Sequence, residues 1–155
     1  LCRLAKGVYY KPVMTKFGVL MPDVQEIVKA IARRDNAQVL PTGETAANLL
    51  GLSTQVPMNY VYLTSGSARK IMVGKKTVTF KRCVPKNFAC QNEFLAVLIQ
   101  AMKAIGQERL TDGHCVVIKG LLMKHLPIES LDADMKNAPL WVRRMVYNII
   151  KEIGV

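Results

Sequence analysis

The sequence predicts a mixed α+β protein in which an N-terminal β-hairpin is followed by a small antiparallel sheet and several helices. Three observations predict this class. Apolar residues recur with helical spacing after residue 22 and again over the last third of the chain. Between them, residues 59–82 alternate apolar and polar side chains with the period of two that is typical of strands. Half of the 155 residues are hydrophobic, which is enough to bury a core.

The first third of the chain predicts a hairpin, a helix, a short strand and a second helix. The hairpin covers residues 1–12 and turns at Lys6-Gly7. A helix is predicted after Asp23, because four apolar residues then share one face at i, i+3, i+4 and i+7: Val24, Ile27, Val28 and Ile31. A strand is predicted over residues 38–40. The second helix is predicted over residues 44–50, with Thr42 as its N-cap and Gly51 at its end.

The rest of the chain predicts three strands and then three helices. The strands cover residues 60–65, 68–73 and 76–82, and the glycine turns at residues 66–67 and 74–75 predict an antiparallel meander. In the third strand, Val78 and Phe80 point to one face, while Thr77, Thr79 and Lys81 point to the other. The helices are predicted over residues 87–105, 111–126 and 138–153, with a strand at 116–118 as an alternative for the second of them.

The positive charge is unevenly distributed along the chain. The formal net charge is +11, and residues 1–92 carry fourteen Lys or Arg against four Asp or Glu, whereas residues 93–155 carry eight against seven. Such an excess suits a surface that contacts nucleic-acid phosphates, because each neutralised phosphate releases counterions. A solvated basic face is the alternative. We predict phosphate contacts from ten residues: Arg3, Lys6, Lys11, Lys16, Arg69, Lys70, Lys75, Lys76, Lys81 and Arg82.

The residues that catalysis or metal binding would need are sparse. His114 and His125 lack a Ser or Asp in a recognisable nucleophile context, and no paired carboxylates are visible. The four cysteines lack the spacing of a zinc module. We therefore expect no enzymatic activity, no metal and no cofactor. The chain has neither a signal-peptide pattern nor a membrane-length apolar run, so it predicts a cytoplasmic protein without a membrane segment.

Two aromatic features leave further interpretations open. Tyr60 and Tyr62 lie among cations, an arrangement that would suit base stacking on single-stranded nucleic acid, but a core position is the favoured interpretation for Tyr62 and Phe80. The last helix carries an apolar stripe with Trp141 beside it, which would suit a homodimer or the docking of a partner. A protein-interaction module without nucleic-acid contact is therefore the alternative function.

Two segments of the chain are similar to a known family. Residues 3–12 (RLAKGVYYKP) resemble the wing of the AbiEi-like antitoxin and transcriptional regulator family, and residues 41–57 (PTGETAANLLGLSTQVP) resemble its most distinctive block. Residues 61–66 and 69–71 continue the similarity. The resemblance implies a bacterial antitoxin of a type IV toxin–antitoxin, abortive-infection system. Such proteins bind inverted repeats in the promoter of their own operon and counteract a nucleotidyltransferase toxin without a stable complex.

The resemblance also implies a division of the chain. Residues 1–17 would be the wing of a winged-helix domain, and residues 18–155 would form the C-terminal α+β domain. Because the chain starts at Leu1 in the middle of a strand pattern, we expect a winged-helix domain that is truncated before its wing. Reading base sequence needs an element in the major groove, so the residues present are expected to contact phosphates only.

Overall fold

The computed structural model describes residues 2–5, 8–10, 13–16, 18–20, 23–53, 55, 57–83 and 88–154. Two hairpins come first, β1 (Cys2–Ala5) with β2 (Val8–Tyr10) and β3 (Val13–Thr15) with β4 (Gly18–Leu20). The mixed sheet contains β5 (Val39–Pro41), β6 (Asn59–Thr64), β7 (Arg69–Val73) and β8 (Lys76–Arg82). The helices are α1 (Val24–Asp35), α2 (Gly43–Leu49), α3 (Glu93–Ile105), α4 (Asp112–His125), α5 (Leu131–Met135) and α6 (Leu140–Ile153). The predicted α+β class is confirmed.

The chain divides into two compact units. Unit 1 consists of Leu1–Val39 and Pro57–Val84, and it holds both hairpins, α1 and β6 to β8. Unit 2 consists of Leu40–Val56 and Pro85–Val155, and it holds α2 to α6. The predicted division at residue 17 stays a prediction.

In unit 1, α1 forms for local reasons and packs on one face of the sheet. The Asp23 carboxylate accepts a hydrogen bond from Gln25 N–H at 3.0 Å, which caps the first turn. Asn36 ends the helix with φ 50 in the left-handed region. The apolar face predicted for this helix is buried against side chains of β6, β7 and β8: Tyr60, Tyr62, Ile71, Val73, Val78 and Phe80. The predicted helix and its buried face are confirmed.

The order of the strands differs from the prediction. The sheet runs β5-β6-β8-β7, with β8 parallel to β6 and antiparallel to β7. The predicted antiparallel meander is therefore wrong, because β7 does not pair with β6. Only the second glycine turn, at Gly74, joins two strands that pair with each other, β7 and β8. At the first, Ser65 N–H donates to the Gln38 carbonyl at 3.0 Å, so the chain bends against the segment after α1 instead of forming a hairpin.

In unit 2, α3, α4 and α6 share a core. The most deeply buried side chains include Leu95, Leu98 and Met102 from α3, Ile118 and Leu122 from α4, and Val142 and Val146 from α6. The helices predicted over residues 44–50, 111–126 and 138–153 are confirmed within two residues, so the strand alternative at 116–118 is wrong. None of the helices in the described ranges is long and apolar enough to cross a membrane.

The helix predicted over residues 87–105 begins six residues later, at Glu93. Asn92 is its N-cap, and the Asn92 side chain accepts a hydrogen bond from Leu95 N–H at 3.0 Å. The two preceding N–H groups, of Gln91 and Asn92, donate to the Asp134 carboxylate. Because these two N–H groups are hydrogen-bonded to a side chain outside α3, the helix begins after them rather than at residue 87.

Candidate nucleic-acid interface

The charge excess of the chain belongs to unit 1. This unit carries 13 Lys or Arg against 3 Asp or Glu, whereas unit 2 carries 9 against 8. Within unit 1, residues 57–84 contain six of these cations and no acid. All six lie in β7, β8 and the turn between them, so an approaching phosphate meets cations along this part of the chain and none in β6.

The face of the sheet opposite α1 carries two exposed lysines beside threonines, and Val61, Leu63 and the 52% exposed Met72 lie on the same face. The strand register places Lys70 directly opposite Thr79, and Lys81 lies two residues further along β8 on the same face. Such diagonal neighbours have Cα atoms about 7–8 Å apart. Lys70 and Lys81 are both exposed, and Thr77 and Thr79 beside them are half-buried. Cationic side chains at such neighbouring positions repel each other, and an anion that contacts both relieves that repulsion.

Three further cations lie along β8 and its preceding turn. Lys75 is exposed in the turn, and Arg82 is exposed at the end of the strand. Lys76 is half-buried, and its ammonium lies 5.7 Å from the centre of the Tyr60 ring. The ring attracts this cation, so Lys76 already has an intramolecular partner.

Arg69 is engaged in an ion pair. Its guanidinium lies 3.2 Å from the Asp35 carboxylate at the end of α1, and the two side chains are 25% and 22% exposed. This contact joins the outer strand β7 to α1. The structure thus separates Arg69, which is paired within the fold, from its neighbour Lys70, which is exposed.

Two of the four N-terminal residues predicted to contact phosphates lie within the described part of the chain. Lys16 is exposed in the turn between β3 and β4, and Arg3 lies in β1 opposite Tyr9 of β2. Tyr9, in the second strand of the same hairpin, is 59% exposed, so its ring is accessible to solvent. Lys6 and Lys11 lie outside the described residues.

The tyrosines of β6 are buried. Tyr60 is 8% exposed and Tyr62 is 3% exposed, and the Tyr62 ring stacks on Phe80 with the ring centres 6.0 Å apart. Burial, with smaller contributions from Tyr60 and Asp23, raises the pKa of Tyr62 to about 12. The interpretation in which Tyr60 and Tyr62 stack on bases is therefore wrong, because both rings belong to the core beneath α1.

Unit 2 holds a buried carboxylate that the sequence pattern did not single out. Asp134 is 1% exposed and accepts hydrogen bonds from Gln91 N–H at 2.8 Å, Asn92 N–H at 2.9 Å and the Ser130 hydroxyl at 2.7 Å. Burial alone would raise its pKa, but the three hydrogen bonds outweigh burial, so the pKa of Asp134 lies below its ordinary value. The carboxylate anchors the segment before α3 to α5.

The apolar stripe of α6 is used within the chain. Val142, Val146, Ile149 and Ile150 are buried in the core of unit 2, and Trp141 is half-buried against that core. The proposed dimerisation or docking surface on this stripe is therefore wrong. The signal that suggested it, a strongly amphipathic helix, is equally typical of a helix that packs on its own core.

Unit 2 contains a small pocket between described residues. A pocket of about 50 Å³ lies beside Cys90, Gln100 and Lys103, which is space for a few water molecules. Among the described residues, no three His, Cys, Asp or Glu side chains come together as a metal site would require. His114 completes the capping box of α4 with Thr111, and the His125 ring stacks on Phe94 with ring centres 4.0 Å apart.

Comparison with known proteins identifies a family. Residues 1–131 match the model of a family described as "Family of unknown function (DUF6088)". The chain belongs to this family. The DUF6088 match covers all of unit 1 and reaches the first residue of α5 in unit 2. No curated protein and no solved structure matches the chain.

Proposed function

We propose that this chain is the antitoxin of a type IV toxin–antitoxin operon and that unit 1 contacts DNA phosphates, which is the backbone-binding part of promoter autoregulation. The observation that carries the DNA-binding part is the concentration of charge in unit 1, where residues 57–84 contain six cations and no acid. The resemblance of residues 3–12 and 41–57 to AbiEi-like antitoxins supports the regulatory role.

The proposed phosphate contacts are the exposed cations of β7, β8 and the turn between them. They are Lys70, Lys75, Lys81 and Arg82. Arg69 and Lys76 contribute less, because Arg69 is paired with Asp35 and Lys76 lies over the Tyr60 ring. Lys70 and Lys81 share the face opposite α1, whereas Arg82 lies on the same side of β8 as Phe80. Phosphate contacts of this kind bind the sugar-phosphate backbone without selecting a base sequence.

The salt dependence of binding follows from the number of contacts. Four phosphate contacts correspond to a slope of about −3.6 in a plot of log K against log salt concentration. Between 50 and 200 mM salt, the affinity should then fall about 150-fold. A chain whose basic face serves only solubility shows no such binding.

The test is fluorescence-anisotropy titration of duplex DNA with the wild-type chain and two double variants. Lys70→Ala with Lys81→Ala removes two proposed contacts. Lys136→Ala with Lys151→Ala removes the same charge from exposed positions of unit 2 and is the matched control. We expect the first pair to reduce the slope by about two and the control to leave it unchanged. Equal slopes for all three proteins would contradict the proposal.

The same titration separates backbone contact from base reading. The DNA is the region upstream of the chain's own gene and a scrambled duplex of equal length and composition. Equal affinities are expected, because the proposed contacts are to phosphates. A strong preference for the upstream duplex would place base-reading residues within this chain and overturn the phosphate-only assignment.

The antitoxin role has a separate test in cells. Co-expression of this chain with the nucleotidyltransferase toxin of the same operon is expected to restore growth, and affinity purification of the chain is expected not to retain the toxin. The Lys70→Ala and Lys81→Ala double variant should restore growth as well as wild type if antitoxicity does not need DNA binding. Failure of the wild-type chain to restore growth would exclude the antitoxin role and leave DNA binding untouched.

A further inference from the structure

One end of unit 1 collects the ends of α1, β6 and β8. The two strands are parallel and finish side by side, because Thr64 of β6 is the register partner of Arg82 of β8. Helix α1 finishes at the same end, since its last residue, Asp35, forms the ion pair with Arg69 at the start of β7. Strand β7 runs antiparallel to β8 and therefore begins where β8 ends.

Hydrogen bonds hold these ends together. Gln38 N–H donates to the Ser65 hydroxyl at 2.8 Å, and Ser65 N–H donates to the Gln38 carbonyl at 3.0 Å. Gly66 follows directly, and a Cβ atom built on it would lie 3.9 Å from the Asp35 Cβ. The three elements thus end at one place, which we call the α1–β8 end and define by residues 33–38, 64–69 and 81–82.

The α1–β8 end is strongly basic. Its residues include five Lys or Arg and one Asp or Glu. The acid, Asp35, is already paired with Arg69. The four other cations are exposed: Arg33, Arg34, Lys81 and Arg82. Like charges gathered in one place repel each other, so an anion bound at this end relieves that repulsion.

The exposed cations of this end lie on different sides of the sheet. Lys81 is on the face opposite α1, whereas Arg82 is on the α1 side, two residues after Phe80. Arg33 points away from the sheet, because it lies on the opposite side of α1 from the residues that this helix buries. Side chains on opposite sides of a sheet reach one partner only where the strands end. A single partner can therefore contact all three cations from the end of the strands, and not from either face.

We propose that the α1–β8 end is the surface where unit 1 meets the DNA backbone, and that Arg33 is a further phosphate contact beside Lys81 and Arg82. The proposal rests on the DNA contact proposed above for unit 1 and gives it a direction of approach. The planar guanidinium of arginine donates two parallel hydrogen bonds to a phosphate, which suits Arg33 and Arg82 to this role. With Arg33 as a fifth contact, the slope of log K against log salt concentration becomes about −4.5.

The first test is covalent footprinting of the full chain, read by mass spectrometry. Arginines are modified with phenylglyoxal and lysines are acetylated, with and without duplex DNA at low salt. The duplex should protect Arg33, Lys81 and Arg82, while Arg144, which is exposed on α6 in unit 2, should react as before. Protection of Arg33 and the exposed Lys29 without Lys81 would place the duplex along the outer side of α1 and overturn the end-on approach.

The second test is the salt slope of an Arg33 variant. Arg33→Ala should reduce the slope by about one, and Arg144→Ala, which removes the same side chain from another exposed helix position, should leave it unchanged. Arg33 also lies in the last turn of α1, where a cation interacts favourably with the helix dipole. If this were its whole role, Arg33→Ala would lower the melting temperature and leave the slope at the wild-type value, and that result would overturn the proposal.

The end-on contact and the proposed function fail in different ways. Binding whose slope depends on Lys70 and Lys81 but not on Arg33, with Arg33 unprotected, would overturn the end-on contact and leave the proposed DNA binding standing. Absence of any salt-dependent binding would overturn both.

Discussion

Replacing Asp134 by alanine should destabilise unit 2 by about 3 kcal/mol. The carboxylate is buried and accepts two backbone N–H groups and one hydroxyl, at 2.7–2.9 Å. Hydrogen bonds to a charged group contribute roughly 1.5–3 kcal/mol, and removing the acceptor also leaves the N–H groups of Gln91 and Asn92 without their partner. Because such terms are not additive, we take about 3 kcal/mol rather than their sum.

The assay is urea unfolding followed by far-ultraviolet circular dichroism, with two control variants. Ser130→Ala removes one of the three donors and should cost about 1 kcal/mol. Glu129→Ala removes an exposed acid close by and should change the free energy of unfolding by less than about 0.5 kcal/mol. If Asp134→Ala were as mild as Glu129→Ala, the anchoring role would be refuted.

The difference in stability between wild type and Asp134→Ala is expected to depend on pH. Since the folded-state pKa of Asp134 lies below its ordinary value, the ionised carboxylate contributes stability above the unfolded pKa of about 3.9. This contribution is lost as pH falls from there through the folded pKa. The difference in stability between wild type and Asp134→Ala should thus be constant from pH 7 to 5 and shrink below about pH 4. A difference that grows on acidification would contradict the assigned direction.

Three further predictions concern single contacts. Arg69→Met should cost about 0.5–1 kcal/mol in urea unfolding, because it removes a partly exposed ion pair, and it should reduce the salt slope of DNA binding less than Lys70→Met does. Gly66→Ala should cost about 1 kcal/mol, since its Cβ would come within 3.1 Å of Ala37 Cβ, and Ala37→Gly in the same chain should recover most of that loss in thermal melting. Thr111→Ala should cost about 1 kcal/mol by removing the acceptor for His114 N–H at the start of α4, again measured by urea unfolding.

Elements defined by neighbouring residues could be predicted from the sequence. Helix α1 has its cap and its apolar face within residues 23–31, so the pattern alone places its start and its buried side. The alternation of β8 likewise predicts that Lys81 lies on the opposite face from Val78 and Phe80. The exposed lysines of the candidate interface follow from the same local rule.

Features that depend on distant partners could not be predicted. The strand order depends on the pairing of β8 with β6, and on the fit of Gly66 against Ala37, 29 residues earlier in the chain. The start of α3 depends on Asp134, which accepts N–H groups more than 40 residues away. Arg69 is one of six cations in its segment, and only its distance to Asp35 sets it apart from Lys70.

The division of the chain into units has a consequence for its synthesis. The chain passes between the units three times, at residues 39–40, 56–57 and 84–85. Helix α2 is seven residues long, and its buried residues Ala46 and Ala47 belong to a core that also needs α3. A helix that short is not stable alone. Translation proceeds at roughly 5–20 residues per second, so about 3–11 s pass between the synthesis of α2 and the completion of α3 at residue 105. The ribosome therefore delivers the whole of the strongly basic unit before the helical unit can assemble.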